Sequence, residues 1–411
     1  MIKQNHPSGL VFVLITLFLD VIGVGLSNPI LPQLIAQFVG NVSIAAYYFG
    51  ALTTTYALML FVFSPIQGAL SDQYGRKPVL LLSLCGTGLS YLGLTFAPNI
   101  PWIFVALIVN GLTGASFAVV GAYIADVSSP KMRAQNFGLF GAVLGIGWVV
   151  GPALGGLVGM WGLRLPFLIA AILTFINLLY GLVAVSESHQ VQHRRLFTWR
   201  NANPIASMRL LQTSSIILGL AAVVFFNDLA LQSLISTWVL FTTYKFHWMT
   251  LQAGLSLALL GLVTAVVQGA IIRPLISRFG EQRTILVGLT LGLLGYLLYA
   301  VVSQGWMMYW VIALNGFDFV TKPTVQGLLS TQVSAQQQGA LQGALASQTA
   351  LTSMIGPLVA TNLFGYFTSG AAPQIWPEVP FYLGSVLFGL ALWIAITTFS
   401  KQSLNFDNYP R

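Results

Sequence analysis

The chain has 411 residues, 56% of them hydrophobic and only 6% charged, with a formal net charge of +8. A soluble globular protein carries roughly 25% charged residues, so that class is excluded, and apolar runs long enough to cross a bilayer as helices exclude a β-barrel, whose strands are short and alternating. The basic excess falls in the polar breaks between those runs, which makes it a topology signal and leaves nucleic acid out of the expected partners.

Taken in chain order, twelve spans are predicted, at 9–31, 45–69, 79–97, 102–125, 137–159, 165–185, 214–239, 252–274, 284–303, 307–331, 340–366 and 380–399. The first run is too long for the apolar core of a signal peptide and lacks a small-residue cleavage site, so it reads as a retained span. The longest interior connection, "ESHQVQHRRLFTWRNANPIASMRLLQ" at 187–212, divides six spans from six. The expected organisation is an all-α membrane protein of two six-helix bundles, 1–186 and 214–411, joined by a cytoplasmic linker at 187–213.

An even span count puts both termini on one side, and the basic residues say which. Lys3, Arg76, Lys77, Lys131, Arg133, Arg194, Arg195, Arg200, Arg209, Arg273, Arg278, Arg283, Lys401 and Arg411 fall on the side of the termini; only Arg164 and Lys245 fall opposite. Basic residues concentrate on the cytoplasmic face, so both termini are expected there, in the bacterial inner membrane.

The two halves look like copies. "QYGRKPVLL" at 73–81 and "RFGEQRTIL" at 278–286 each lie between two spans, and their glycines, Gly75 and Gly280, are 205 residues apart; "GP" at 151–152 recurs at 356–357 with the same offset. Parallel six-helix repeats of this size characterise one large transporter architecture.

"GALSDQYGRKPVLL" at 68–81 lies in the turn between spans two and three. Gly68 is read as permitting close helix approach, and Gly75 as supplying the positive φ a tight turn needs. Asp72 is placed to accept from a helix N-terminus, and Arg76 to fork onto a carboxylate, with Lys77 beside it. The plain alternative is a membrane-surface anchor with a turn, which accounts for Arg76 and Lys77 but not for the Gly–Asp–Gly spacing. "GWVVGPALGGLVG" at 147–159 is rich in glycine inside a span, where glycine allows close packing and Pro152 can bend the helix.

The 68–81 stretch resembles the signature loop of the major facilitator superfamily, and the 147–159 stretch resembles that superfamily's fifth-helix antiporter motif. "LFLDVIGVGLSNPILPQL" (17–34), "GAYIADVSSPKMRAQNFG" (121–138) and "QGALQGALASQTALTSMIGPL" (338–358) resemble stretches of the bacterial tetracycline exporters. The resemblance implies a proton-coupled, alternating-access drug exporter that works as a monomer. In it Asp72, Arg76 and Asp126 form a cytoplasmic charge cluster, Asp20 is an acid used in transport, and Gly147, Gly151, Pro152, Gly155 and Gly156 form a packing face between half-bundles. Where those exporters carry ionisable groups in spans three, four, eight and nine, this chain has Ser90, Leu107, Thr264 and Gly292.

Charged residues within spans are rare and face a cavity or a partner. The clear cases here are Asp20, Asp228, Asp318 and Lys322. Asp318 and Lys322 in "NGFDFVTKP" are four apart with the acid first, the favourable order for a helical ion pair. Either they neutralise each other, or Lys322 reads an anionic substrate group or competes with a proton for Asp318. Asp228 maps by the offset to position 23, about one turn beyond Asp20; its plain alternative is a hydrogen bond to a neighbour such as Asn227. Asn110, Asn227, Gln232, Gln268, Asn315 and Gln348 are candidates for lining a cavity, or for bonds between helices.

The histidines His6, His189, His193 and His247 show no metal-ligand spacing, Cys85 is single, and there is no phosphate-binding loop, so no cofactor and no metal is expected. The competing functions are an importer or facilitator of a metabolite, anion or siderophore on the same fold, and a non-transporting receptor; a membrane enzyme lacks any visible nucleophile–base or metal motif.

Overall fold

The computed structural model describes residues 7–114, 116–129, 132–188, 206–334 and 337–407. The tails, Lys131 and most of the predicted linker, with Arg194, Arg195 and Arg200, lie outside the described residues. Every regular element among the described residues is helical. In hydrocarbon a helix satisfies its own backbone, and no open sheet can do so.

The N-terminal half runs α1 (Pro7–Ser27), α2 (Leu31–Val39), α3 (Val42–Tyr74), α4 (Arg76–Thr95), α5 (Ile100–Thr113), α6 (Ser116–Val127), α7 (Arg133–Gly159) and α8 (Leu165–Ala184). The C-terminal half runs α9 (Ser215–Phe246), α10 (Thr250–Val266), a π-helical turn Val267–Ile271, α11 (Ile272–Phe279), α12 (Glu281–Val301), α13 (Met307–Asn315), a 3-10 segment Gly316–Val320, α14 (Thr321–Thr331), α15 (Gln338–Thr368) and α16 (Val379–Asp407). Among the described residues eleven helices are long and apolar enough to cross a membrane. The predicted span 307–331 is not one of them, because the 3-10 segment divides it and Asp318 and Lys322 dilute it.

Helix ends follow local chemistry. Gly75 and Gly280 begin α4 and α12 with φ of 109° and 79°, a region glycine enters without a Cβ penalty. These are the two glycines related by 205 residues, so the repeat is carried into backbone geometry. Asn99 accepts from the Trp102 amide at 3.1 Å to cap α5, and Ser214 accepts from Ile216 at 3.3 Å to cap α9. Pro152 and Pro357 lie at equivalent points inside α7 and α15.

The chain forms two compact units. The first comprises the described parts of Met1–Gly40, Thr55–Asn203 and Met249–Gly261; the second comprises those of Asn41–Thr54, Pro204–Trp248 and Leu262–Arg411. Within the first, α1 packs on α7, and α4 on α8; within the second, α9 packs on α15, and α12 on α16. These are the same pairings in repeat-equivalent helices. The first unit buries Phe12, Leu17, Val21, Leu80, Val120 and Tyr123 together. Trp161, Trp310 and Trp393 are more than 60% exposed, as suits tryptophans that meet lipid and its interface.

The glycines of α7 divide by target. A Cβ on Gly147 would meet Val21 at 2.6 Å, one on Gly151 would meet the Gly25 Cα at 2.9 Å, and one on Gly155 would meet the Leu26 Cα at 2.8 Å. These three face α1 of their own half, which corrects the expectation that the whole motif packs between half-bundles. Gly156 instead faces α10 within the first unit, where a Cβ would meet the Thr250 carbonyl at 2.6 Å and the Gly254 Cα at 2.9 Å. Backbone cannot yield as a flexible side chain can. Gly156→Val is therefore expected to cost about 1–3 kcal/mol through overpacking, read as a lowered Tm in detergent, while substitution at Gly68, which has nothing within 4 Å of a new Cβ, leaves Tm unchanged. The open space at Gly68 also removes the close-approach role expected of it.

Candidate functional site: two charge clusters and a buried acid

The turn between α3 and α4 builds a dense cluster around Arg76, which is 8% exposed. Its Nη1 pairs with Asp72 Oδ1 at 2.6 Å and donates to Ser71 Oγ at 2.6 Å, while its Nε reaches Asp126 Oδ2 on α6 at 3.1 Å. The guanidinium is a rigid fork of donors, and here its prongs hold α3, its own helix α4, and α6 together. Asp72, Arg76 and Asp126 are thus brought together as expected. Asp72 differs in its partner: it pairs with Arg76 one turn away, and the helix N-terminus goes to another acid.

That acid is Glu187, which the sequence reading did not single out. Its Oε1 accepts from the Arg76 amide at 2.8 Å and its Oε2 from the Lys77 amide at 3.2 Å. Gly75 has no side chain to cap α4, and a carboxylate at a helix N-terminus meets both unpaired amides and the positive end of the dipole. The neighbouring residues are tied down as well: Tyr123 donates to the Ser186 carbonyl at 3.1 Å, Ser188 to Asp126 at 3.4 Å, and the Lys77 ammonium to the Leu182 carbonyl at 3.1 Å. The start of the linker is therefore docked on the charged turn. No pattern signals this, because the capping acid is over a hundred residues from the helix it caps. Glu187→Ala is expected to cost about 1 kcal/mol, the usual scale of a lost cap, and to raise amide hydrogen exchange at residues 76–79.

The second cluster lies in the C-terminal half. Lys322 Nζ on α14 pairs with Asp228 Oδ2 on α9 at 2.8 Å, and Thr349 Oγ1 on α15 donates to the same oxygen at 2.9 Å. Lys322 also reaches Thr349 at 3.3 Å. Asp228 is almost wholly buried, with its side chain 4% exposed, against 33% for Lys322. The expected pairing of Lys322 with Asp318 does not form. An ordinary helix would place residues four apart on one face, but the segment Gly316–Val320 has three residues per turn and rotates Asp318 roughly a third of a turn away. Asp228 does bond to a neighbouring side chain, but that neighbour is Thr349, beside Lys322, and not Asn227.

Beside this triad, Gln232 donates to Ser353 at 2.6 Å, and Gln348 to the Ala221 carbonyl at 2.9 Å. Both link α9 to α15, so Gln348 serves a helix–helix bond. Gln268 is exposed in the π-helical turn, Asn227 is buried, Asn110 is half-buried, and Asn315 is buried against α12.

Asp20 lies on α1, 6% exposed, with Ser116 beside it and one oxygen, Oδ2, without a partner. Tyr56 and Tyr91 are close enough to sense its charge. Asp318 is 3% exposed and its Oδ1 also lacks a partner. The repeat runs further than the two pairs noticed in the sequence: Tyr91 and Tyr296, Asn110 and Asn315, and Gly111 and Gly316 all share the 205-residue offset. Both "NG" pairs precede a break, between α5 and α6 in one half and between α13 and α14 in the other.

This architecture matches known proteins. The family model of the Major Facilitator Superfamily matches residues 13–345 and, in an overlapping placement, 220–405. The tetracycline resistance protein, class C, of Escherichia coli is 40% identical over 95% of this chain and 96% of its own length. The class G protein of Vibrio anguillarum is 37% identical over 96% of this chain and 99% of its own. Among solved structures, the nucleoside transporter NupG matches with a TM-score of 0.77 at 13% identity, covering 95% of this chain and 99% of that one. The human organic anion transporter MFSD10 matches with a TM-score of 0.69 at 23% identity, covering 96% and 100%. The chain is a multi-pass helical membrane protein, and it belongs to the Major Facilitator Superfamily.

Proposed function

We propose that this protein is a secondary active exporter of a small, amphiphilic organic molecule of the tetracycline type, driven by protons entering the cell. The observation that carries it is the Asp228–Lys322 pair closed by Thr349: an ion pair in a span, on three different helices of a transporter fold, is the sort of element whose partners can exchange during transport. The cargo class rests on the tetracycline resistance relatives, which align along nearly the whole chain.

In this reading both termini are cytoplasmic, the protein lies in the bacterial inner membrane, and the monomer is the working unit. The sequence halves 1–186 and 214–411 alternate access to the cargo, with the linker at 187–213 between them. Asp72, Arg76 and Asp126 latch one state of the cycle. Asp20 serves in the N-terminal half, and Asp228 and Lys322 serve in the C-terminal half. The acids or bases missing at Ser90, Leu107, Thr264 and Gly292 support a coupling apparatus relocated to these residues. Asn110, Asn227, Gln232 and Asn315 are the polar groups offered to the cargo path.

The experiment is proton flux in liposomes loaded with a pH-sensitive dye, with tetracycline and a panel of amphiphilic drugs and metabolites added under an imposed pH gradient. Drug-dependent proton movement is the expected result. Drug movement unaffected by the gradient would overturn coupling in favour of a facilitator.

A further inference from the structure

The segment Gly316–Val320 aligns a polar stripe that the charged triad does not use. With three residues per turn, side chains at i and i+3 eclipse, so Asn315, Asp318 and Thr321 fall on one face, turned toward α12. There α12 presents glycine: Cβ atoms on Gly295 and Gly288 would run into the Asn315 side chain and the Thr321 hydroxyl. The polar stripe therefore lies against bare helix backbone whose own carbonyls are already bonded within α12.

Four buried polar atoms in this seam have no partner: Asn315 Oδ1, Asp318 Oδ1, Thr321 Oγ1 and the Tyr299 hydroxyl. Tyr296 and Tyr299 of α12 are the titratable groups close enough to sense Asp318. Tyr296 is committed to the Ala230 carbonyl at 2.8 Å, and Tyr299 is walled in edge-on by Trp238, 5.2 Å between ring centroids. The other elements packed on the segment are the π-helical turn, α13 and α14. The turn carries no charge, and the one charge of α14, Lys322, is turned to Asp228. Asp318 thus makes no ion pair among the described residues.

An isolated carboxylate in such surroundings takes up a proton rather than remain charged. The repeat supplies an internal control for whether the fold needs an acid there. Position 318 maps to Thr113, which ends α5 at the equivalent break and bonds back to the Val109 carbonyl at 2.8 Å. The same break is built in the N-terminal half with a neutral residue that satisfies itself, so the acid is not a requirement of the break.

We propose that Asp318 is a proton-carrying carboxyl, held in the seam between the 3-10 segment and α12 and separate from the Asp228–Lys322 pair. The C-terminal half then divides two tasks. Asp318 takes up and releases the proton as a neutral carboxyl, and Lys322 and Asp228 answer to charge on the cargo. The transport consequence rests on the coupled-export reading; proton occupancy does not.

The test uses the full-length protein. Infrared difference spectra between acid and alkaline pH, with isotope-labelled aspartate, read protonated carboxyls directly and need no cargo. An aspartic-acid component is expected in the wild type that is retained in Asp228→Asn and in Asp20→Asn and lost in both Asp318→Asn and Asp318→Thr, the second variant copying the Thr113 solution. In liposomes with radiolabelled tetracycline as probe, Asp318→Asn is expected to keep exchange at equal pH within about twofold while gradient-driven accumulation falls roughly tenfold or more, within the ordinary range of coupling factors. An unchanged carboxyl band in Asp318→Asn overturns the proposal, and so does full gradient-driven accumulation by that variant. If the wild type moves no tetracycline, the export reading fails by itself, and the infrared band still decides the proton site.

Discussion

Asp228→Asn is expected to abolish gradient-driven transport and to lower stability. The asparagine keeps the shape but removes the charge that faces Lys322 Nζ at 2.8 Å, leaving the ammonium with Thr349 at 3.3 Å. Breaking a buried pair costs about 3–5 kcal/mol, because the remaining charge is uncompensated; a third of the lysine side chain is exposed, which places this variant at or below the lower end. Lys322→Met strands the more deeply buried partner, so it is expected to be the worse of the two. The double variant Asp228→Asn, Lys322→Met removes both charges and is expected to recover part of the loss, since a neutral replacement of a buried pair is often tolerated. The measurement is a double-mutant cycle on Tm in detergent, beside tetracycline accumulation in liposomes. Single variants that each cost under about 0.5 kcal/mol and add in the double would show that the pair is not coupled.

The pair also marks where sequence reasoning reached its limit. The four charges in spans were visible as costly residues, and all prove to be in the buried or partly buried interior of helical segments. Their partners were not visible, because pairing was read from α-helical spacing and the helix is 3-10 at that point. A cue did exist: the "NG" at 110–111 recurs at 315–316 with the offset already established by Gly75 and Gly280, and it marks a break in both halves. Reading the repeat to its full extent would have questioned a continuous helix through 307–331.

The fold was legible for the opposite reason. Span length and the duplicated glycines are local or strictly periodic signals, and the two positive-φ glycines opening α4 and α12 are a direct physical consequence of the turn each must make. The contribution of Glu187 was illegible, since an acid that caps a helix from across the fold has no fixed spacing from it. The glycines of α7 were legible as packing residues but not by target, because the same small side chain serves contact with α1 at Gly151 and with α10 at Gly156.

Arg76→Lys tests whether the charged turn works as a latch or as a surface anchor. An anchor needs only positive charge near the headgroups, which lysine supplies. A latch needs the fork: Nη1 bridging Asp72 and Ser71 while Nε holds Asp126. A lysine ammonium reaches one of these carboxylates and gives up the guanidinium contact to the other. Hydrogen bonds to charged groups are worth about 1.5–3 kcal/mol each, and the half-exposed Asp72 contributes toward the bottom of that range. Loss of the Asp126 contact therefore shifts a two-state equilibrium by roughly 2 kcal/mol, or about 30-fold in population. The expected result for Arg76→Lys is a sharp fall in maximal transport rate with half-saturation nearly unchanged, accompanied by faster amide exchange at residues 76–79 where Glu187 holds the helix start. Asp126→Asn is expected to reproduce it. Wild-type rates in Arg76→Lys with normal amide protection would reduce the turn to an anchor, since nothing in that role distinguishes guanidinium from ammonium.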